Sequence, residues 1–194
     1  MIQRGDIIQS ECLGFGGMET LIKAFTIFSK LRYNLDYHPT HCMIAVSDTQ
    51  CYSAEASGMI IVNIADWLHG GYKLKVYRPQ VSNQVMEYAI ARELLTKNKP
   101  YAWWQFEVHI HKWFREVFNI LKHLIGWKWL KQKDTKKMRA LFTSSEVCTE
   151  SVYRYMQYLG SPQSDEFDET SINNCDLEHI LINNPQFFQQ IQIP

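Results

Sequence analysis

Apolar and polar positions alternate along this chain in two rhythms, one of period two and one near three and a half. Gly5-Asp6 forms a turn that leads into a short strand at Ile7-Ile8. Between Met18 and Leu31, the residues Leu21, Ile22, Phe25, Phe28 and Leu31 recur at helical spacing and predict an amphipathic helix. Pro39 stops any helix before His41. Cys42-Met43-Ile44-Ala45-Val46 is an apolar run of the buried-strand kind, and Ser47-Asp48-Thr49-Gln50 is a turn. Cys51 to Ala56 predicts a second strand of this region, and Met59 to Ile64 a third, with Ser57-Gly58 turning between them. Tyr72 to Tyr77 alternates as a fourth and ends at Pro79. These spacings predict a meander of antiparallel strands through the middle of the chain.

Helical spacing then takes over. A helix is expected from about Ser82 to Lys97, with Ser82 or Asn83 as its cap and Pro100 just beyond it. From Trp103 to Trp129, the residues Phe106, Ile110, Trp113, Val117, Leu121 and Leu124 recur every three or four positions. Gly126 and the run KQKDTKK end that pattern. A further helix carries Cys148. Thr143 with Glu146 fits a capping box at its start, and Gly160 with Pro162 closes it. Its expected buried face is Val147, Ser151, Val152, Tyr155, Met156 and Leu159. One short helix and an extended end are expected in the tail. No internal repeat is visible.

With 194 residues, the chain is expected to be one domain, able to bury roughly 70% of its unfolded surface. The zero formal net charge argues against a nucleic-acid coat, so no nucleic-acid partner is expected. It hides an asymmetry. His109 to Arg139 holds nine Lys/Arg and two acids, whereas Gly160 to the end holds six acids and no Lys/Arg. These regions either face each other or are each solvated. Five cysteines without a C-x-x-C pair point away from a disulfide framework or a zinc ribbon, and at least one thiol is free. His109 and His111 do not repeat the i, i+4 spacing of a helical metal pair, so no metal and no cofactor are assigned. The opening MIQRGDIIQ lacks the apolar run of a signal peptide, and no segment reaches the ~20 apolar residues of a spanning helix. A cytoplasmic or virion-associated protein is expected before a classically secreted one. Oligomeric state is not legible.

Two residues carry the candidate chemistry. Cys148 is placed in the first turns of its helix, where unpaired N–H groups and the macrodipole favour a thiolate. The alternative is an inert core cysteine. His41 opens a strand and can hold a base rigidly; the alternative is a structural histidine. Glu55 interrupts the small strand CYSAEA. Two adjacent antiparallel strands would bring it near His41, where it could accept the second imidazole N–H, or else it faces solvent.

Taken together, these segments resemble the permuted branch of the NlpC/p60 superfamily of papain-like cysteine hydrolases, in particular its YiiX/YebB-like group. RGDIIQ resembles the group's opening strand, and THCMIAV its histidine strand. YSAEASGMIIVN resembles its next hairpin, KPYAWWQF a segment with a tyrosine near the site, and VCTESVYRYM the cysteine helix. CDLEHIL resembles its late segment, with Cys175 where proline is usual. The resemblance implies an α+β, circularly permuted papain-like fold with an antiparallel meander packed on the cysteine helix. It implies Cys148 as nucleophile, His41 as base, Glu55 as third member and Tyr101 as a substrate-binding residue. A competing register lays Ser144-Ser145-Glu146-Val147 on the cysteine motif and leaves Cys148 in the core. The register on Cys148 also matches Glu150, Val152, Tyr153 and Arg154.

The implied activity is cysteine-dependent hydrolysis of a peptide or other acyl-amide, with cell-wall peptides as the default substrate. Two alternatives stay open. One is a lipid or other acyltransferase or thioesterase on the same fold; in the group's lipid acyltransferases Glu-His-Phe follows the cysteine, whereas Thr-Glu-Ser follows it here. The other is an inactive binding module. The chain departs from the group in a basic, aromatic-rich helical insertion at 103–139. Three roles fit it: peripheral contact with membrane or cell-wall polymer, a lid on the cleft, or extra core packed on the acidic tail.

Overall fold

A computed structural model describes residues 1–14, 17–101, 113, 114, 117, 148–162 and 172–192. Within them the chain is α+β: a six-stranded antiparallel sheet with five helices. In chain order the elements are β1 (Ile7–Cys12), α1 (Gly17–Arg32), β2 (His41–Ala45), β3 (Gln50–Glu55) and β4 (Gly58–Asn63). There follow α2 (Ile64–Leu68), β5 (Tyr72–Pro79), α3 (Asn83–Leu94), α4 (Cys148–Tyr158), α5 (Asn174–Asn183) and β6 (Phe188–Ile191).

The strands lie in the order β4-β3-β2-β1-β5-β6. Only β2, β3 and β4 form the expected meander. The fourth strand, β5, does not continue it: it pairs with β1 over Ile7↔Tyr77 to Cys12↔Tyr72, and with β6 on its other side. The unpredicted helix α2 is the physical reason. Asn63 caps it by accepting from the Ala65 N–H, and Gly71 at φ +78° turns the chain after it, so the strand that follows joins the far side of β1. The extended tail is the edge strand β6.

Alternation along the strands divides the interior in two. Ile7, Cys42, Ile44, Tyr52, Ala54 and Tyr77 face one side, where Ile90 of α3, Val152 and Met156 of α4, and Leu177 and Leu181 of α5 cover them. Ile8, Met43, Ala45, Cys51 and Val76 face the other side, covered by Ile64 and Trp67 of α2. Period-two patterning on β1 and β2 thus feeds two cores, because both faces of the sheet are clothed.

Three local devices fix the elements that carry the site. Ser82 caps α3, as expected, though that helix ends at Leu94 and not Lys97. Gly160, at φ +75°, closes α4: its N–H bonds the Gln157 carbonyl and the Ser161 N–H bonds that of Met156, the Schellman pattern. Gly58, at φ +117°, ends the β3–β4 turn beside Glu55; a Cβ there would meet the Lys99 carbonyl oxygen at 2.5 Å. The Thr143–Glu146 cap, Val147 and Ser144 lie outside the described residues, as does most of the 103–139 segment. Of its described residues, Trp113 packs on Phe25 and Phe28 of α1. One acid of the tail, Glu178, is buried against Lys75 at 2.9 Å and Tyr77 at 2.7 Å. Among the described residues, no helix is long and apolar enough to cross a membrane.

Candidate active site

The sheet brings His41 and Glu55 together by register. The β2–β3 ladder runs from Ala45↔Cys51 to Met43↔Ser53 and stops there. His41 and Cys42 therefore lie beyond the pairing with β3, although β1 still pairs with them at Ser10↔His41 and Gln9↔Cys42; a third element packs there. That element is α4, which packs on β2 and carries Cys148. Cys148 is buried, with 7% of the residue exposed.

His41 and Glu55 stand 3.6 Å apart between Nε2 and Oε1, an ion-pair distance too long for a hydrogen bond. Ser53 closes the gap. Its hydroxyl lies 2.7 Å from His41 Nε2 and donates to Glu55 Oε1 at 2.6 Å. A serine has one proton to give. With that proton on Glu55, Ser53 accepts from His41, so Nε2 carries hydrogen and Nδ1 is the nitrogen left for a proton exchange with Cys148. The imidazole plane is held by Trp67, stacked on it at 4.9 Å between centroids and 6° between planes, and Trp67 in turn rests on Tyr72.

The electrostatics run in one direction. A hydrogen bond from the Cys42 side chain is the strongest influence on Cys148. It outweighs burial and, with the charge and hydrogen bond of His41, sets the thiol well below its ordinary range. Burial works against a charged His41. The sulfur of Cys148 by charge and hydrogen bond, then Glu55, override it and raise His41 to about 10. Burial would raise Glu55, but His41 and Ser53 more than offset it and hold the carboxyl below the usual range. Cys42 shifts the opposite way: burial first, then the charge on Cys148, pushes it well up. The arrangement is a thiolate–imidazolium pair with a second thiol kept neutral beside it.

Of the four residues singled out from sequence, Cys148, His41 and Glu55 meet here. Tyr101 packs, half-buried, on the core cluster containing Cys148 and Cys42. Burial, then the charges of Cys148, Cys42 and Glu55, raise its phenol. Three site residues escaped the sequence reading. Ser53 was legible, since i and i+2 on a strand share a face and Glu55 was already placed. Cys42 was taken only as an apolar strand residue, and Trp67 sits on a five-residue helix too short for periodicity to reveal. Neither a family model, nor a curated protein, nor a solved structure matches this chain.

Ser53→Ala tests the relay. The rate of Cys148-dependent chemistry should fall roughly 10- to 100-fold, the loss seen when a partner that orients a metal-binding histidine is removed. The alkaline limit set by His41 should move down, because Glu55 then supports the imidazolium less. Ser53→Thr, which keeps the hydroxyl, should restore both. A merely structural serine would lower the rate without moving the pH limit.

Proposed function

We propose that this chain is a cysteine-dependent amide hydrolase on a circularly permuted papain-like fold of the NlpC/p60 kind, acting on peptides, with cell-wall peptides as the foremost class. The observation that supports it best is the hydrogen-bonded line from His41 through Ser53 to Glu55, together with the opposite shifts that Cys148 and His41 impose on each other, with the histidine strand preceding the cysteine helix. Any one of these residues has an ordinary structural explanation. A buried thiol, imidazole and carboxylate that hold one another charged are harder to explain as packing, since unpaired buried charges are costly.

The chemistry follows from the charge state. The Cys148 thiolate attacks the carbonyl carbon, and unpaired backbone N–H groups near the helix start would stabilise the oxyanion that develops. His41, as imidazolium, gives its Nδ1 proton to the leaving amine. A water then attacks the thioester while the now neutral His41 takes its proton, and the acid product leaves with Cys148 restored as thiolate and His41 as imidazolium. Ser53 and Glu55 hold Nε2–H throughout, so the working nitrogen is always Nδ1.

Two pH limits bound the reactive form. The thiolate requires a pH above the lowered Cys148 value, and the imidazolium a pH below about 10. Alkylation of Cys148 by iodoacetamide should therefore be fast at pH 7 and gain little by pH 9. An ordinary thiol gains roughly 25-fold over that interval from its thiolate fraction. In His41→Ala the gain should reappear. Equal labelling of all five cysteines at pH 7 would mark an idle module. Substrate class is tested by incubating the protein with cell-wall peptides and following new amino termini, with Cys148→Ala as the control. Turnover abolished by that substitution is expected; labelling at Cys148 without turnover of any peptide amide would overturn the hydrolase reading.

A further inference from the structure

Cys42 has no part in the steps above beyond its hydrogen bond to Cys148, yet it is the buried thiol set against the reactive one. It follows His41 on β2, beyond the end of the β2–β3 ladder, where α4 packs, and both cysteines belong to one core cluster. Each thiol acts on the other: Cys42 draws the Cys148 thiol down, and Cys148 helps to push that of Cys42 up. The other three cysteines lie elsewhere: Cys51 in the core of the opposite face, Cys12 at the end of β1, Cys175 at the start of α5.

We propose that Cys42 and Cys148 form a peroxide-responsive dithiol, in which oxidation of Cys148 is captured by Cys42 as a reversible intramolecular disulfide. The thiolate of Cys148 attacks one oxygen of a hydroperoxide. The O–O bond breaks, hydroxide leaves, and Cys148 becomes a sulfenic acid while the peroxide is reduced by two electrons. The Cys42 sulfur then attacks the Cys148 sulfur. The S–O bond breaks, the S–S bond forms, and the departing hydroxide takes the Cys42 proton as water.

The two thiols are unequal in the way this sequence needs. Both thiols are buried, but their surroundings pull them apart: the Cys148 thiol is drawn well down toward the thiolate that attacks an oxidant, whereas that of Cys42 is pushed up and stays protonated. Once Cys148 is a sulfenic acid its negative charge is gone, and one of the influences that hold the proton on Cys42, after burial, goes with it. The oxidation thus eases the step that answers it. Without Cys42, a second peroxide carries Cys148 to the sulfinic acid, which thiols do not reduce.

The test uses the whole protein and hydrogen peroxide, with no substrate, so its outcome is independent of the hydrolase reading. After oxidation and blocking of free thiols, unreduced digestion at aspartate separates Cys42 from Cys51, because Asp48 lies between them. A linked Cys42–Cys148 peptide should dominate, and dithiothreitol should return both thiols. In Cys42→Ser and Cys42→Ala, Cys148 should instead be trapped by dimedone and then accumulate as sulfinic acid beyond recovery. Sulfinic acid at Cys148 in the unsubstituted protein without the linked peptide would overturn the proposal. So would a bond from Cys148 to Cys12, Cys51, Cys175 or a second molecule. Should both variants misfold, the linkage map of the unsubstituted protein decides alone.

Discussion

If the chain is the proposed hydrolase, Cys148→Ala should remove amide hydrolysis and His41→Ala should lower it by roughly 10⁶-fold, the loss found for a nucleophile or its base in a hydrolase that acts through such a unit. The effects should not add. Each residue keeps the other charged, so removing either leaves an ordinary group behind, and the double variant should be no slower than the worse single one. Glu55→Gln should cost much less than His41→Ala, because the Ser53 hydroxyl still holds Nε2 and Trp67 still clamps the ring. Single-turnover rates on a cell-wall peptide, with iodoacetamide kinetics in parallel, separate the contributions. If the double variant loses the product of the two single losses, Cys148 and His41 do not act as a unit.

The second large effect is on stability and arises behind the site. Arg154 of α4 reaches Glu93 of α3 with two bonds, Nε to Oε1 at 2.7 Å and a second guanidinium nitrogen to Oε2 at 2.8 Å, and Ser151 adds a third at 3.0 Å. Glu93 is 1% exposed. Burial pushes its carboxyl up even against the pull of Arg154 and Ser151. Arg154→Met leaves that carboxylate without its cation and should cost about 3–5 kcal/mol. For a chain of this size the midpoint of thermal unfolding should drop by roughly 6–20 °C.

The sign of its pH dependence follows. A carboxyl whose folded value is raised favours the folded state at low pH and loses that contribution as pH rises. With Arg154 gone the rise is steeper, so the deficit should shrink in mild acid and be largest at neutral pH. Glu93→Gln combined with Arg154→Met should recover most of the loss, since no buried charge then remains. Urea unfolding of the three proteins at two pH values measures all of this, and an equal deficit at both would assign the loss to packing of the arginine stem.

The two halves of the site were legible to different degrees. His41, Glu55 and Cys148 each had an ordinary structural alternative and were drawn together by the resemblance of their segments to one family; strand register does the rest for His41 and Glu55 once β2 and β3 pair. The position of β5 was not legible. Tyr72–Tyr77 alternates equally well whether it pairs with β4 or β1, and what decides is α2, five residues long and governed by the Asn63 cap. Cys42 was hidden for a related reason. A cysteine in an apolar run reads as core, and it is core; its side chain takes the face that α4 covers, beside the end of the ladder at Met43↔Ser53. Pattern reports which face a side chain takes, while this site depends on where pairing stops.

That stopping point also sets when the thiol becomes reactive. Every other member of the relay, from His41 to Trp67, lies in the first part of the chain, but Cys148 comes more than a hundred residues after His41. At ribosomal rates of about 5–20 residues per second, the strand bearing the base leaves the ribosome several seconds before the helix bearing the nucleophile. Until α4 docks, Cys148 has neither His41 nor Cys42 beside it and titrates as any thiol in a nascent chain. Chemical competence is thus withheld from unfinished copies, and the rate at which Cys148 captures an electrophile serves as a clock for completion of the fold.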